Sequence, residues 1–265
     1  MDVLKRNNVR IFGNPAGKPV VFAHGFGCDQ NMWLRVTPAF EADHSIVVFD
    51  HVGAGQSDLS AYRRSKYDSL DGYSGDVLEI LRALNLRRVI FVGHSVSAMI
   101  GVLAAVKEPD RFDALVLVGP SPRYINDPAD GYVGGFSQAD IESLLESLDS
   151  NYLGWSSSMA PVIMGNPDRP ELGAELTNSF CRTDPEIASH FARVTFLSDN
   201  RADLPKVRVR TLVLQCSEDV IAPRAVGEYV HRQIAGSRLV LMKALGHCPN
   251  VSAPEETIAA IKEFL

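Results

Sequence analysis

The sequence predicts an α/β fold: a mostly parallel, doubly wound sheet interrupted once by an inserted four-helix cap. Three observations carry this expectation. Short β-branched and aromatic runs recur along the chain, helix-forming segments fall between them, and between Val118 and Leu212 the alternation stops and only helical patterns remain.

In chain order the expected strands are Val20 to Ala23, Ile46 to Phe49, Val89 to Val92, Leu115 to Val118, Leu212 to Gln215 and Leu239 to Met242. Each is an apolar run without polar alternation, the pattern of parallel strands covered by helices on both faces. The expected helices of the sheet domain are Leu70 to Leu84, Ser97 to Glu108, Arg224 to Gln233 and Pro254 to Leu265. The interruption holds Ser137 to Leu148, Tyr152 to Met164, Glu171 to Phe180 and Glu186 to Leu197, entered through Pro128, Gly131, Gly134 and Gly135 and left through Asp203, Pro205 and Lys206. This divides the chain into a core, residues 1–124 and 205–265, and a cap, residues 125–204. The cap carries more large apolar side chains than short helices need for packing on one another. Phe136, Trp155, Phe180 and Phe196 are therefore expected to line a substrate pocket beneath it.

The chain has 265 residues, enough to bury a sizeable core, with 46% hydrophobic and 22% charged residues, the balance of a soluble globular protein. A formal net charge of −6 and the lack of any basic run argue against a nucleic-acid surface. Residues 1–8 have no apolar stretch of signal-peptide type and no segment reaches membrane-spanning length, so a cytoplasmic protein without membrane contact is expected. Cys28, Cys181, Cys216 and Cys248 are too widely spaced for a zinc knuckle or redox pair and read as buried free thiols. Neither a metal nor a cofactor is expected. No spaced ligand set occurs, and Asp50 to Ser57, with glycines at 53 and 55, lacks the third glycine and the ribose-binding acid of a dinucleotide fingerprint, so it reads as a structural turn.

The stretch that points to chemistry is Gly93-His94-Ser95-Val96-Ser97, set between the Val89 to Val92 strand and a helix. A sharp strand-to-helix turn lifts a serine hydroxyl clear of the backbone and places a helix N-terminus behind it, the arrangement of a nucleophile elbow. The usual final glycine is Ser97, a small residue where helix and strand approach closely. A serine needs an imidazole to take its proton and a carboxylate to orient that imidazole. In this kind of fold the order is Ser, acid, His, and Asp219 and His247 follow the strands ending at Gln215 and Met242. Glu218 is the competing acid; Asp219 is preferred because a shorter side chain suits a fixed turn. The oxyanion donors are expected to be the backbone N–H groups of Val96 and, from the Gly-rich loop His24-Gly25-Phe26-Gly27, of Phe26. His24 and His94 adjoin the site and shape its loops, whereas His44, His51, His190 and His231 read as structural or surface residues.

These residues resemble the α/β-hydrolase superfamily, and within it the branch of the bacterial stress-signalling hydrolase RsbQ, related to the plant karrikin and strigolactone receptor hydrolases. The shared segments are His24 to Gly27 with Asp29-Gln30, Leu70 to Tyr73, Gly93 to Gly101, Ser121 to Tyr124, Gly134 to Phe136 and Gly246-His247. Ser97 is similar to the plant receptors; Gly119 to Pro122 and Leu214 to Cys216 are similar to RsbQ. The resemblance implies a Ser95, Asp219, His247 triad under a four-helix cap and slow hydrolysis of a small hydrophobic ester or lactone. It also implies signalling through a protein partner, in the bacterial branch a stress-pathway phosphatase. The expected function is a serine hydrolase acting through an acyl-enzyme. Two rival readings are a ligand receptor in which hydrolysis is incidental, and a carbon-carbon bond hydrolase, which would need basic residues in its pocket.

Overall fold

A computed structural model describes residues 2–265. Seven strands form one sheet: β1 (Arg10–Gly13), β2 (Lys18–Ala23), β3 (His44–Phe49), β4 (Val89–His94), β5 (Phe112–Val118), β6 (Arg210–Glu218) and β7 (Arg238–Leu245), in spatial order β1-β3-β2-β4-β5-β6-β7. Only β1 is antiparallel, paired with β3, and every other pairing is parallel. The helices are α1 (Val3–Arg6), α2 (Leu70–Ala83), α3 (Val96–Lys107), α4 (Gln138–Ser150), α5 (Tyr152–Met164), α6 (Pro170–Phe180), α7 (Pro185–Phe196), α8 (Arg224–Gln233), α9 (Pro249–Ser252) and α10 (Pro254–Phe264). Among the described residues no helix is long and apolar enough to cross a membrane.

The central stretches of the inner strands are apolar and buried because both faces are covered. Val20, Phe22, Ile46, Val48, Ile90, Val92, Val116 and Leu214 face one layer, with Trp33, Phe40 and Ile261 of α10. The residues between them, Val21, Ala23, Val47, Phe49, Phe91, Leu115 and Val213, face α2, α3 and Val230 of α8. The period-two alternation of side chains thus feeds two separate cores. Two expectations need correction at the sheet edges. The strand at Leu239 to Met242 is not buried on both faces: β7 is the last strand and most of it is exposed or half-buried, because nothing pairs beyond it. The other edge, β1, is absent from the expected elements, since Ile11 and Phe12 between Arg10 and Gly13 make too short an apolar run to mark a strand.

The four helices α4 to α7 all lie between β5 and β6 in sequence. Their starts are set by local chemistry: a capping box between Ser137 and Asp140, side-chain caps from Asn151 and Asp184, and prolines in the first turns of α6 and α7. They are tied back onto the sheet domain by polar contacts. The Ser179 hydroxyl donates to the Gly27 carbonyl at 3.0 Å, and Arg35 and Arg182 pair with Glu175 and Asp29.

Candidate active site

The chain runs from β2 outward to β3, then returns past β2 to β4, so the loops following β2 and β4 leave neighbouring strands in opposite directions. Such a switch opens a crevice at the carboxyl ends of the strands. Ala23 pairs with Gly93, which sets the loop carrying Phe26 directly beside the turn carrying Ser95. The approach is tight enough that a Cβ on Gly25 would sit 3.3 Å from the Ser95 Cβ. At Ser95 the backbone takes φ 57° and ψ −123°, a conformation that costs a non-glycine residue roughly 1–3 kcal/mol. The turn is held by the Ser95 N–H donating to the Val118 carbonyl at 2.8 Å. Gly93 must lack a side chain because a Cβ there would lie 2.4 Å from the Ser97 carbonyl oxygen.

Three sequence-predicted residues converge here. Ser95 Oγ is 2.7 Å from His247 Nε2, and His247 Nδ1 is 2.7 Å from Asp219 Oδ2. Asp219 Oδ1 accepts from the N–H groups of Ile221 and Ala222 at 2.8 and 3.0 Å, which fixes the carboxylate in its turn. All three side chains are buried. Burial alone would raise the Asp219 carboxyl. The facing imidazole and these hydrogen bonds outweigh it and hold the group below the ordinary carboxylate range. An acceptor-only carboxylate assigns the proton to His247 Nδ1 and leaves Nε2 to accept from the Ser95 hydroxyl. The competing acid Glu218 has an exposed side chain with no contact to His247; only its carbonyl is engaged, by Gly246 N–H at 2.7 Å.

Neither Phe26 N–H nor Val96 N–H has an acceptor within the described residues. Val96 is the first residue of α3, where N–H groups have no intrahelical partner. A chain of hydrogen bonds orients Phe26. The His51 N–H donates to His24 Nε2 at 3.0 Å, so His24 carries its proton on Nδ1 and donates to the Gly25 carbonyl at 2.9 Å. Gly25 C=O and Phe26 N–H belong to one trans peptide, so anchoring the carbonyl turns the N–H the opposite way. Ser97 completes the network. Its hydroxyl donates to the His24 carbonyl and accepts from His51 Nε2 at 2.7 Å. His51, read from the sequence as a structural or surface residue, is buried and structural, and its hydrogen bonds support the site. On the other side His94 Nε2 donates to the His247 carbonyl at 2.7 Å, and burial pushes its pKa down to about 3, so it stays neutral. Asp50, in the glycine-bearing turn, accepts from the N–H groups of Gln30 and Gln56 and from Asn8, as a structural turn does.

Above Ser95 lies a cavity of about 30 Å³. Trp155, Phe180 and Phe196 line it with Phe26. Phe136 does not line it: its backbone bridges to Ile125 ahead of α4, and its ring is half-buried against the cap-side core. Sequence reasoning missed Cys28, Tyr124, Ile163, Leu176, Thr195, Ile221 and Cys248 as lining residues. Cys28, Tyr124, Ile221 and Cys248 follow β2, β5, β6 and β7, so strand-end position was the available signal. The thiols are poor rivals to Ser95, because burial pushes Cys28 up to about 12 and Cys248 well above its usual range. Cys181 is exposed at the end of α6, contrary to the expectation of a buried thiol. Among the described residues no group of His, Cys, Asp and Glu is arranged to hold a metal.

Residues 20–260 match the profile of the alpha/beta hydrolase family. A karrikin insensitive 2 receptor of Petunia hybrida is 38% identical over 260 residues, covering 98% of this chain and 95% of that protein. A strigolactone esterase of Pisum sativum is 37% identical over 253 residues, 95% of this chain and 94% of that one. The solved structure of a hydrolase from Oleispira antarctica superposes with a TM-score of 0.96 at 43% identity, covering 99% of this chain and 96% of that chain.

Proposed function

The chain belongs to the alpha/beta hydrolase family and is an enzyme of the carboxylic-ester hydrolase type, and from that premise we propose that Ser95, His247 and Asp219 are its triad, acting on a small hydrophobic ester or lactone. The observation that carries this is the unbroken chain from Ser95 Oγ through His247 to Asp219, 2.7 Å at each link. In the reaction Ser95 attacks the carbonyl as His247 Nε2 takes its proton, and the Asp219 carboxylate stabilises the resulting imidazolium. The oxyanion is received by the Phe26 N–H in the loop after β2 and the Val96 N–H at the start of α3. His247 then protonates the leaving group and activates water to release the acyl group. Residues 125–204 act as the cap. A cavity of about 30 Å³ holds roughly two waters, so it accepts an acyl group of only a few atoms unless the cap helices part. Ser95→Ala should abolish hydrolysis of short-chain aryl esters, by on the order of 10⁴ or more in kcat, while leaving the fold intact. A folded variant keeping a tenth of the activity would reject Ser95 as nucleophile.

The relatives named as receptors favour a second reading, that ligand binding under the cap signals to a protein partner and hydrolysis is slow. Partner capture that depends on ligand and survives in Ser95→Ala would select it. The carbon-carbon hydrolase reading lacks support, because no lysine or arginine lines the cavity to hold a substrate carboxylate.

A further inference from the structure

Asp219 follows β6 directly, and His247 follows β7 after Gly246. The pairing of these two strands is not uniform. Cys216 stands opposite Met242 and Glu218 opposite Leu245, so one residue of β6, Ser217, faces two of β7, Lys243 and Ala244. This is a β-bulge, one extra residue in the strand that delivers the imidazole. Without it, everything after Met242 would move by one residue relative to Asp219. That is a strand rise of about 3.3 Å, more than the whole 2.7 Å link between His247 and Asp219. A bulge leaves backbone groups without ladder partners, and no strand lies beyond β7 to take them. Glu256, in the first turn of α10, takes them instead: its Oε1 accepts from the Lys243 N–H at 2.7 Å and its Oε2 from the Ala244 N–H at 3.0 Å. Successive N–H groups of a regular strand point to opposite sides, so a single carboxylate holds both only while the bulge is in place. On the facing strand the Ser217 hydroxyl donates to the Ala244 carbonyl at 3.2 Å.

We propose that Glu256 is a positioning residue for the reaction: by clamping the β7 bulge it sets where His247 stands relative to Asp219 and Ser95. The inference rests on the reading of these three residues as the triad. Glu256 does not line the cavity and acts only through the backbone. Two residues separate Ala244 from His247, and the chain between them is pinned by the Gly246 N–H on the Glu218 carbonyl at 2.7 Å and the His247 N–H on the Ile163 carbonyl at 2.9 Å. At Gly246, φ 78°, a Cβ would collide with the Met164 carbonyl. So short and tightly held a segment passes a displacement at the bulge on to the imidazole.

The test compares wild type with Glu256→Gln and Glu255→Gln. Glutamine at 256 keeps the size of the side chain but replaces one accepting oxygen by a donor, so one of the two N–H groups is left facing an NH₂. Glu255 is exposed in the same turn of α10, and its variant removes the same charge from the same helix end. With p-nitrophenyl acetate, Glu256→Gln should show kcat about 10-fold lower and KM within about 2-fold of wild type, since a misplacement of about 1 Å costs up to 10²-fold. Glu255→Gln should match wild type. The low-field proton NMR signal of the His247 Nδ1–H held by Asp219 should be present in wild type and Glu255→Gln, and shifted or lost in Glu256→Gln. A Glu256→Gln enzyme that keeps its kcat and this signal, even with a lower Tm, overturns the proposal while leaving hydrolysis standing. If that variant does not fold, Glu256→Asp, one methylene too short to hold both N–H groups, replaces it under the same criteria. If wild type does not hydrolyse the ester, the hydrolase reading fails separately and the NMR signal alone decides: its shift or loss in Glu256→Gln supports the role of Glu256, and its persistence overturns it.

Discussion

Ser97→Ala tests whether the unusual last residue of the elbow is structural. The serine hydroxyl has one proton. A carbonyl oxygen can only accept, so that proton goes to the His24 carbonyl, and His51 Nε2 must supply its own N–H to the Ser97 oxygen. His24, His51 and Ser97 are at most 1% exposed, so water cannot replace the lost group. Removing the hydroxyl therefore strands one donor and one acceptor, each costing about 1–3 kcal/mol. The volume lost is a single oxygen, so we take the lower half of that range: a destabilisation of roughly 2–4 kcal/mol. In a domain of this size that corresponds to a fall in Tm of about 5–15 °C. Urea unfolding followed by far-UV circular dichroism measures it. Because the same network anchors the Gly25 carbonyl and hence the direction of Phe26 N–H, kcat should fall with KM little changed. A variant within about 0.5 kcal/mol of wild type would refute the network's structural role.

Asp219→Asn should lower kcat by roughly 10⁴ through loss of the His247 tautomer, while Glu218→Gln, at an exposed side chain, should be silent; the reverse ranking would transfer the role. Phe196 packs on Tyr124 and Phe26 with ring centroids 4.9 and 6.2 Å apart and lines the cavity, so Phe196→Ala should swing relative kcat/KM between short and long acyl esters by about 10- to 200-fold. Unchanged preference with a stability loss of about 3–5 kcal/mol would make it a core residue only. Stability should also fall in mild acid. Burial lowers the pKa of His94 to about 3 and lowers those of His24 and His51. Below about pH 6.5 the unfolded chain binds protons that the native state refuses, so His94 alone contributes a loss of about 2 kcal/mol by pH ~5. Urea midpoints that stay flat between pH ~7.5 and ~5 would contradict this.

The sheet was legible because strands covered on both faces carry unbroken apolar runs, as Val89 to Val92 in β4 and Ala114 to Val118 in β5 do. The edges were not: β1 holds too short an apolar run to register, and β7 reads as buried although its outer side is open. Ser95, Asp219 and His247 stand out in the sequence because chemistry and strand-end placement coincide. Phe136 misled because aromatic content reports burial without direction; its backbone bridge to Ile125 keeps it out of the cavity wall. Ser97 and His51 are invisible as a pair in one dimension, since what distinguishes them is which hydrogen bonds their side chains make.

The central claim is that Ser95 is the activated nucleophile, and covalent trapping tests it most directly. Incubation with a fluorophosphonate, followed by intact-mass measurement and peptide mapping, should give one adduct, located on Ser95. It should be lost in Ser95→Ala and formed far more slowly in His247→Ala, because the hydroxyl then has no base at 2.7 Å. An adduct on another serine, on Tyr124 or on a cysteine, or none on a folded protein, would contradict the account.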